Sequence, residues 1–419
     1  MSRFFLFISL LLFTIQSSAS YLLLPMDLAQ KNHLKAYGIA FWTLKNANME
    51  VDWLLNYRGG SFAIKYFKEM ETECSIRGVS YEVIADAQYT SILSEISNPE
   101  VNMELVKLEK APKIAVYSPK ALQPWDDAVT MVLTFAEIPY DVIYDDEVLD
   151  EKLVKYDWLH LHHDDFTGQY GKFYGAYGQT QWYKNQMAEL EEIASRRGFS
   201  KVSKLKLAVA QKIKNYIAGG GFMFAMCSAT DSYDIALAAA GTDICDVMYD
   251  YDQQDPQAQS KLDFSQTLAF EKFQLRTNPL EYEYSNIDAN FGRQVQKDLD
   301  YFNLFDFSAK WDQIPSMLTQ CHTKTVKGFM GQTTAFNKNF IKNNALIMGQ
   351  NKSANEARYI HGEYGKGMWT FYGGHDPEDY QHFVGEPKTD LALHPNSPGY
   401  RLILNNVLFP AARKKKQKT

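Results

Sequence analysis

The chain has 419 residues, of which 46% are hydrophobic and 22% charged, a globular composition long enough for two domains or for one domain carrying a large insertion. The formal net charge is -7 at pH 7 and the one dense basic cluster is the terminal ARKKKQKT, so the basic face needed to bind nucleic acid is excluded. Four widely spread cysteines (Cys74, Cys227, Cys245, Cys321) with no CxxC pair argue against both a cysteine zinc site and a disulfide-stapled scaffold.

The opening MSRFFLFISLLLFTIQSSAS joins a basic start at Arg3, an apolar stretch over residues 4–15 and small residues at Ser17 and Ala19. That is the pattern of a signal peptide over 1–19, cleaved after Ala19. The apolar stretch is shorter than the roughly 20 residues of a membrane span, so the expectation is an exported chain, periplasmic or extracellular, with no transmembrane anchor after processing. Export permits disulfides, but a reactive Cys227 would leave at most one bridge among the other three.

Residues 20–111 read as an N-terminal α/β segment. YLLLPMD is a strand, KNHLKAYGIAFWTLKNA an amphipathic helix, and MEVDWLLNYRGG a second strand closed by a glycine turn. From Pro112 the pattern recurs: KIAVYSP is a strand, WDDAVTMVLTFAEI a helix whose first acids suit its positive end, and YDVIYDDEVL a strand. The two βαβ-like passages are compatible with an internal duplication. YDWLHLHH then reads as a strand, QMAELEEIASRRG and KVSKLKLAVAQKIKNYIAGG as helices, GFMFAM as a buried strand and DSYDIALAAAG as a helix. Residues 246–344, rich in Asp, Gln, Tyr and Phe, break this rhythm and read as an insertion or cap. NALIMGQ, ARYIHGEYGKG and MWTFYGGHD restore it as strands, PGYRLILNNVLFPA closes as a helix with Pro398 in its first turn, and 413–419 form a basic tail. Strands alternating with helices predict an α/β fold over 112–412, a mainly parallel sheet with helices on both faces.

In an open sheet of this kind ligands bind beyond the carboxyl ends of the strands, where Cys227 falls. A nucleophile elbow needs small residues two positions either side of the nucleophile; Ala225 and Ala229 meet that need. The following helix would aim its first amides at the thiol and offer the Ser228 N–H to an oxyanion. A buried structural thiol fits the same placement. His375, just past a late strand, is the candidate base, with Asp376, Glu378 or Asp379 to orient it. LHLHHDDFTGQYG places His160, His162, His163, Asp164 and Asp165 at the same edge, as oxyanion donors, substrate contacts or, less economically, metal ligands; no HExxH spacing accompanies them, and no metal or cofactor is expected. His160 is expected to pack on the sheet. Glycines alternating with aromatics over residues 168–183, including Tyr170 and Tyr174, suit a sugar or peptide pocket or a cap on the core. The RGG at Arg58, Gly59 and Gly60 follows a strand, but no GxGxxG or Walker loop marks a nucleotide site.

Cys227 on its elbow, the later GGHDPED and the strand–helix order together resemble the class I glutamine amidotransferase-like superfamily, from about Lys113 to the C-terminus. The resemblance implies a flavodoxin-like sheet and a Cys–His–Glu triad. Where that family has G-x-C-x-G and H-P-E, this chain has Ala225-Met-Cys227-Ser-Ala229 and His375-Asp-Pro-Glu378, one residue longer. PMDLAQKNHLKAYGIAFW, DWLLNYRGGSF and DWLHLHHDDFTGQYGKFYG also look like exported bacterial proteins labelled asparagine synthetase B, although the chain has neither an N-terminal cysteine nucleophile nor an SGGxDS loop. Three functions are carried forward: an exported cysteine hydrolase acting on an amide or peptide bond, a non-catalytic envelope protein binding a glycan or peptide, and glutamine-dependent amidotransfer.

Overall fold

The computed structural model describes residues 19–120, 123–290 and 292–412; the expected signal peptide, Ala19 apart, and the basic tail lie outside the described residues. The protein is mixed α/β with two sheets. The first contains β1 (Ala19–Leu24), β2 (Val51–Leu55), β3 (Ser61–Lys65), β4 (Glu82–Ala85) and β5 (Glu104–Leu108), in the order β4-β1-β3-β2-β5. All its pairings are antiparallel. The second sheet is built on β6 (Ile114–Tyr117), β7 (Asp141–Ile143), β8 (Trp158–Leu161) and β9 (Phe222–Met226). It also takes β10 (Tyr301–Leu304), β11 (Thr325–Lys327), β12 (Phe336–Asn337), β13 (Leu346–Asn351), β14 (Glu356–Tyr364) and β15 (Gly367–Tyr372). Five neighbours in the order β15-β9-β8-β6-β7 run parallel; β14, β13, β10 and β11 continue the sheet antiparallel beyond β15.

The parallel strands are apolar on both faces, as helical cover on two sides requires. Ile114, Val116, Phe224 and Met226 face a core shared with the helices Ala128–Phe135 and Pro398–Leu408. The alternate residues Ala115, Tyr117, Met223 and Ala225 face a second core with Val202–Gly219 and Ser228–Ala238.

The expected repetition of a βαβ unit does not occur. Asn56 and Arg58, with φ of 61° and 43°, and Gly59 and Gly60 turn β2 straight back into β3 as an antiparallel hairpin, with β1 on the far side of β3, while β6 and β7 pair in parallel. The RGG is thereby a hairpin turn: Arg58 bonds Asp27 at 2.8 Å and Glu82 at 2.7 Å. The insertion expected over 246–344 is in part a component of the sheet, since it supplies β10, β11 and β12. All four cysteines are free. Among the described residues no helix is long and apolar enough to cross a membrane.

The N-terminal sheet shares its core with the helix Pro398–Leu408 through the helix His33–Trp42. At that junction Arg401 is fully buried, donating to the Met26 carbonyl at 3.0 Å, the Tyr37 hydroxyl at 3.1 Å and the Gly59 carbonyl. A buried acceptor stripped of its donor costs about 1–3 kcal/mol. Arg401→Leu is therefore expected to lower unfolding free energy by about 3 kcal/mol, read as a shift of the urea midpoint at constant slope.

Candidate functional site

Strand β9 ends at Met226 and the next helix begins at Ser228, so Cys227 alone makes the turn, with φ 51° and ψ -138°. A non-glycine residue held there costs of order 1–3 kcal/mol and persists only where the surroundings over-determine it. Ala225 and Ala229 are fully buried, and the Ala229 N–H donates to the His162 carbonyl at 3.0 Å, tying the turn to the loop after β8. Ser228 is the first residue of the helix, so its N–H is one of the four with no intrahelical carbonyl, at the positive end of the macrodipole.

His375 reaches Cys227 because β15 is the parallel neighbour of β9, with Tyr372 in register with Met226. Gly373 and Gly374 then carry the chain around the sheet edge; Gly374 has φ 101°, and a Cβ on Gly373 would meet the Thr334 carbonyl oxygen at 2.5 Å. His375 Nε2 lies 2.9 Å from Asp126 Oδ1. Burial of this 5% exposed ring works against charge, but hydrogen bonds to Asp126 and to the Cys227 thiol outweigh it and push its pKa up to about 10. Asp126 is held below its ordinary value although burial opposes this, the bond to His375 being the chief counterweight.

The acid beside His375 is therefore Asp126, not Asp376 or Glu378. Asp376 points away and accepts from the Tyr400 hydroxyl at 2.8 Å, the Thr389 hydroxyl at 2.6 Å and the Glu378 N–H at 2.9 Å, which folds the turn after the histidine. Glu378 lies 3.2 Å from His394 Nδ1, and Asp379 2.9 Å from His382 Nδ1. Asp126 was within reach of sequence reading in WDDAV, where the acids read only as complements to a helix dipole. Asp127 does cap the helix Ala128–Phe135 through Oδ1, while its Oδ2 faces His160 and His162, each at 3.2 Å.

The histidines after β8 gather around His375. His162 and His163 stack with centroids 3.8 Å apart, and their centroids lie 5.0 and 4.6 Å from that of His375. Burial is the chief cause holding both below their ordinary pKa, His162 at about 4. His160 packs on the sheet as expected, fully buried against Phe224. A cavity of about 300 Å³ opens beside the cluster, lined by Asp126, His162, His163, Asp164, Asp165 and Tyr170 among others, but not by Cys227 or His375. Burial raises Asp164 to about 8, leaving it a hydrogen-bonding acid. Asp165 has a structural task, accepting from the N–H groups of Thr167 at 2.7 Å and Gly171 at 3.1 Å. Tyr174 stands apart from the cavity, edge-on to Tyr249.

The 3% exposed Cys227 is covered by residues 330–334 of the inserted segment. The Gln332 N–H lies 3.2 Å from Cys227 Sγ, and the His375 N–H donates to the Met330 carbonyl at 2.9 Å. The Thr333 hydroxyl donates to Asp231 at 2.8 Å and the Thr334 N–H to Asp288 at 3.2 Å, pinning the strap down. No sequence motif marks Gln332; only the three-dimensional return of the insertion brings it here.

No family model matches the chain, and neither does any curated protein. Among solved structures, it is similar to cytoplasmic protein STM3548 from Salmonella typhimurium at TM-score 0.35 and 11% identity, over 72% of this chain and 100% of that one. Cytoplasmic protein STM1381 from Salmonella typhimurium LT2 gives 0.34 and 12% over the same shares. The GH42 beta-galactosidase Gan42B from G. stearothermophilus gives 0.26 and 11%, over 64% of this chain and 28% of that enzyme. Likenesses this slight carry nothing about the chemistry of the site.

Asp126→Asn keeps the volume but removes the charge beside His375. Alkylation of Cys227 by iodoacetamide at neutral pH, followed by peptide mass spectrometry, is expected to slow by at least about 10-fold, as losses of orienting carboxylates do. Asp376→Asn is expected to leave that rate within about twofold, because its partners lie on the far side of the turn.

Proposed function

We propose that the protein is an exported cysteine-dependent hydrolase of an amide or peptide bond, with the sheet of the class I glutamine amidotransferase-like superfamily. The carrying observation is the single-residue turn at Cys227, backed by His375 and Asp126 on adjoining strand ends. In the proposed cycle the Cys227 thiol gives its proton to His375 and the sulfur attacks the carbonyl carbon, whose π pair moves onto oxygen toward the Ser228 and Gln332 N–H groups. Collapse of this adduct breaks the C–N bond as His375 passes a proton to the leaving nitrogen, giving a thioester and a free amine. Water, deprotonated by His375, then attacks the thioester and returns the thiol and a carboxylic acid. Asp126 orients the imidazole throughout and stabilises its charge in the steps where it holds the proton. Because residues 330–334 cover the sulfur, substrate enters as that strap shifts.

A second reading, binding of a glycan or peptide without catalysis, has one observation in its favour: the cavity is lined by His162, His163 and Tyr170 and not by the thiol.

The two readings separate on Cys227 variants. Cys227→Ala is expected to abolish hydrolysis in a screen of amide and peptide substrates and to prevent trapping of an acyl-enzyme by mass spectrometry. Turnover that survives in Cys227→Ala would sink the proposal. Cys227→Gly relieves the turn, so it is expected to be inactive yet more stable than the parent by about 1 kcal/mol, the strain released less the added chain entropy of glycine. Thermal denaturation of the two proteins measures that difference.

A further inference from the structure

Around His375 three imidazoles each have one nitrogen close to an oxygen, and two of them, His163 and His375, are hydrogen-bonded through it. His162 Nδ1 lies 3.2 Å from Asp127 Oδ2, His163 Nε2 2.8 Å from the Asp126 carbonyl, and His375 Nε2 2.9 Å from Asp126 Oδ1. Carboxylate or carbonyl outer contacts of this kind are what orient histidines that ligate a metal through their other nitrogen. One nitrogen from each of the three lies within 4.8 Å of the others. His162 is 1% exposed, and its Nε2 has no hydrogen-bond partner; Asp126 Oδ2 is also buried and unpartnered. A buried polar atom left so is costly and calls for an occupant.

We propose that His162, His163 and His375 form a binding site for a divalent cation of intermediate softness such as Zn2+, with Asp126 and Asp127 as its outer carboxylates. Imidazole suits zinc, whereas Mg2+ and Ca2+ prefer oxygen donors. Zn–N bonds of about 2.0–2.1 Å set tetrahedral N···N edges near 3.3 Å, so the cluster must tighten around the ion. The stacked His162 ring can turn into line with little loss, because neither of its nitrogens makes an aligned hydrogen bond. The cavity beside His162 and His163 supplies an entry path and room for a water as fourth ligand. Ligation of His375 displaces its proton and withdraws it from Cys227, so the ion silences the dyad; that consequence rests on the hydrolase reading, but the site does not.

The test is calorimetric titration of chelator-treated full-length protein with Zn2+, paralleled by Co2+ absorption. One ion per chain is expected, competed by neither Mg2+ nor Ca2+, with a tetrahedral Co2+ spectrum. Cys227→Ser is expected to bind unchanged, which separates the site from simple capture by a thiolate. His162→Phe, which preserves the stack, is expected to abolish tight binding, and Asp127→Asn, which can still cap its helix, to weaken it by about 10–100-fold. Binding lost in Cys227→Ser, binding indifferent to His162→Phe, or no binding at all overturns the proposal. If Zn2+ binds Cys227→Ser and the parent alike while the parent's thiol is inert to alkylation with or without the ion, the metal site stands and the hydrolase reading fails.

Discussion

A single residue must reverse the chain between a buried central strand and a buried helix, and that residue has a side chain. Cys227 takes φ 51° against the steric preference of every L-residue, so its neighbours must hold it there. They do so from three directions: the His162 carbonyl on the Ala229 N–H, the in-register pairing of Met226 with Tyr372, and the strap whose Gln332 N–H meets the sulfur. Each grip comes from a separate part of the chain, after β8, on β15 and within the inserted segment. The strain is thus a property of the assembled sheet, and the site exists only once long-range pairing is complete.

The same geometry explains which parts were legible in the sequence. Strand β9, its following helix and the small residues flanking Cys227 are local patterns, and an apolar run ending in A-M-C-S-A announces them. The burial of the parallel strands on both faces also leaves a local trace, runs such as KIAVY and GFMFAM without polar alternation. The topology of residues 20–111 leaves none. A strand, a helix and a strand read alike whether they close as a parallel pair or, as here, separate because Asn56 to Gly60 return β2 directly into β3. Asp126 was hidden differently, since an acid at a helix start has an adequate local explanation. Asp127 fulfils that explanation, and the neighbouring acid does something else.

Electrostatics at the sheet edge follow from this arrangement. Two adjacent acids at the start of Ala128–Phe135 face histidines from two loops, and which imidazoles carry charge depends on how directly each meets a carboxylate. His375, bonded to Asp126 and beside the thiol, is driven toward the cation. His162 and His163 have a misaligned carboxylate and a neutral carbonyl respectively, and desolvation wins. The shifts run in opposite directions because His375 meets a carboxylate and the thiol, whereas burial dominates at the other two rings.

That contrast bears on how the site is approached. The cavity is lined by His162 and His163 but not by Cys227, whose sulfur meets the Gln332 N–H of residues 330–334. The strap is anchored by hydrogen bonds to Asp231 and Asp288, buried carboxyls each with one oxygen lacking a partner. Anchors with unmet hydrogen-bonding capacity are weaker than a closed network, because moving the strap exposes those oxygens to water that the closed form denies them. A covering segment fastened in this way suits a site that must exclude solvent at rest and still admit a substrate. The inserted segment is thereby tied to the sheet edge at Cys227 by contacts that no local pattern announces.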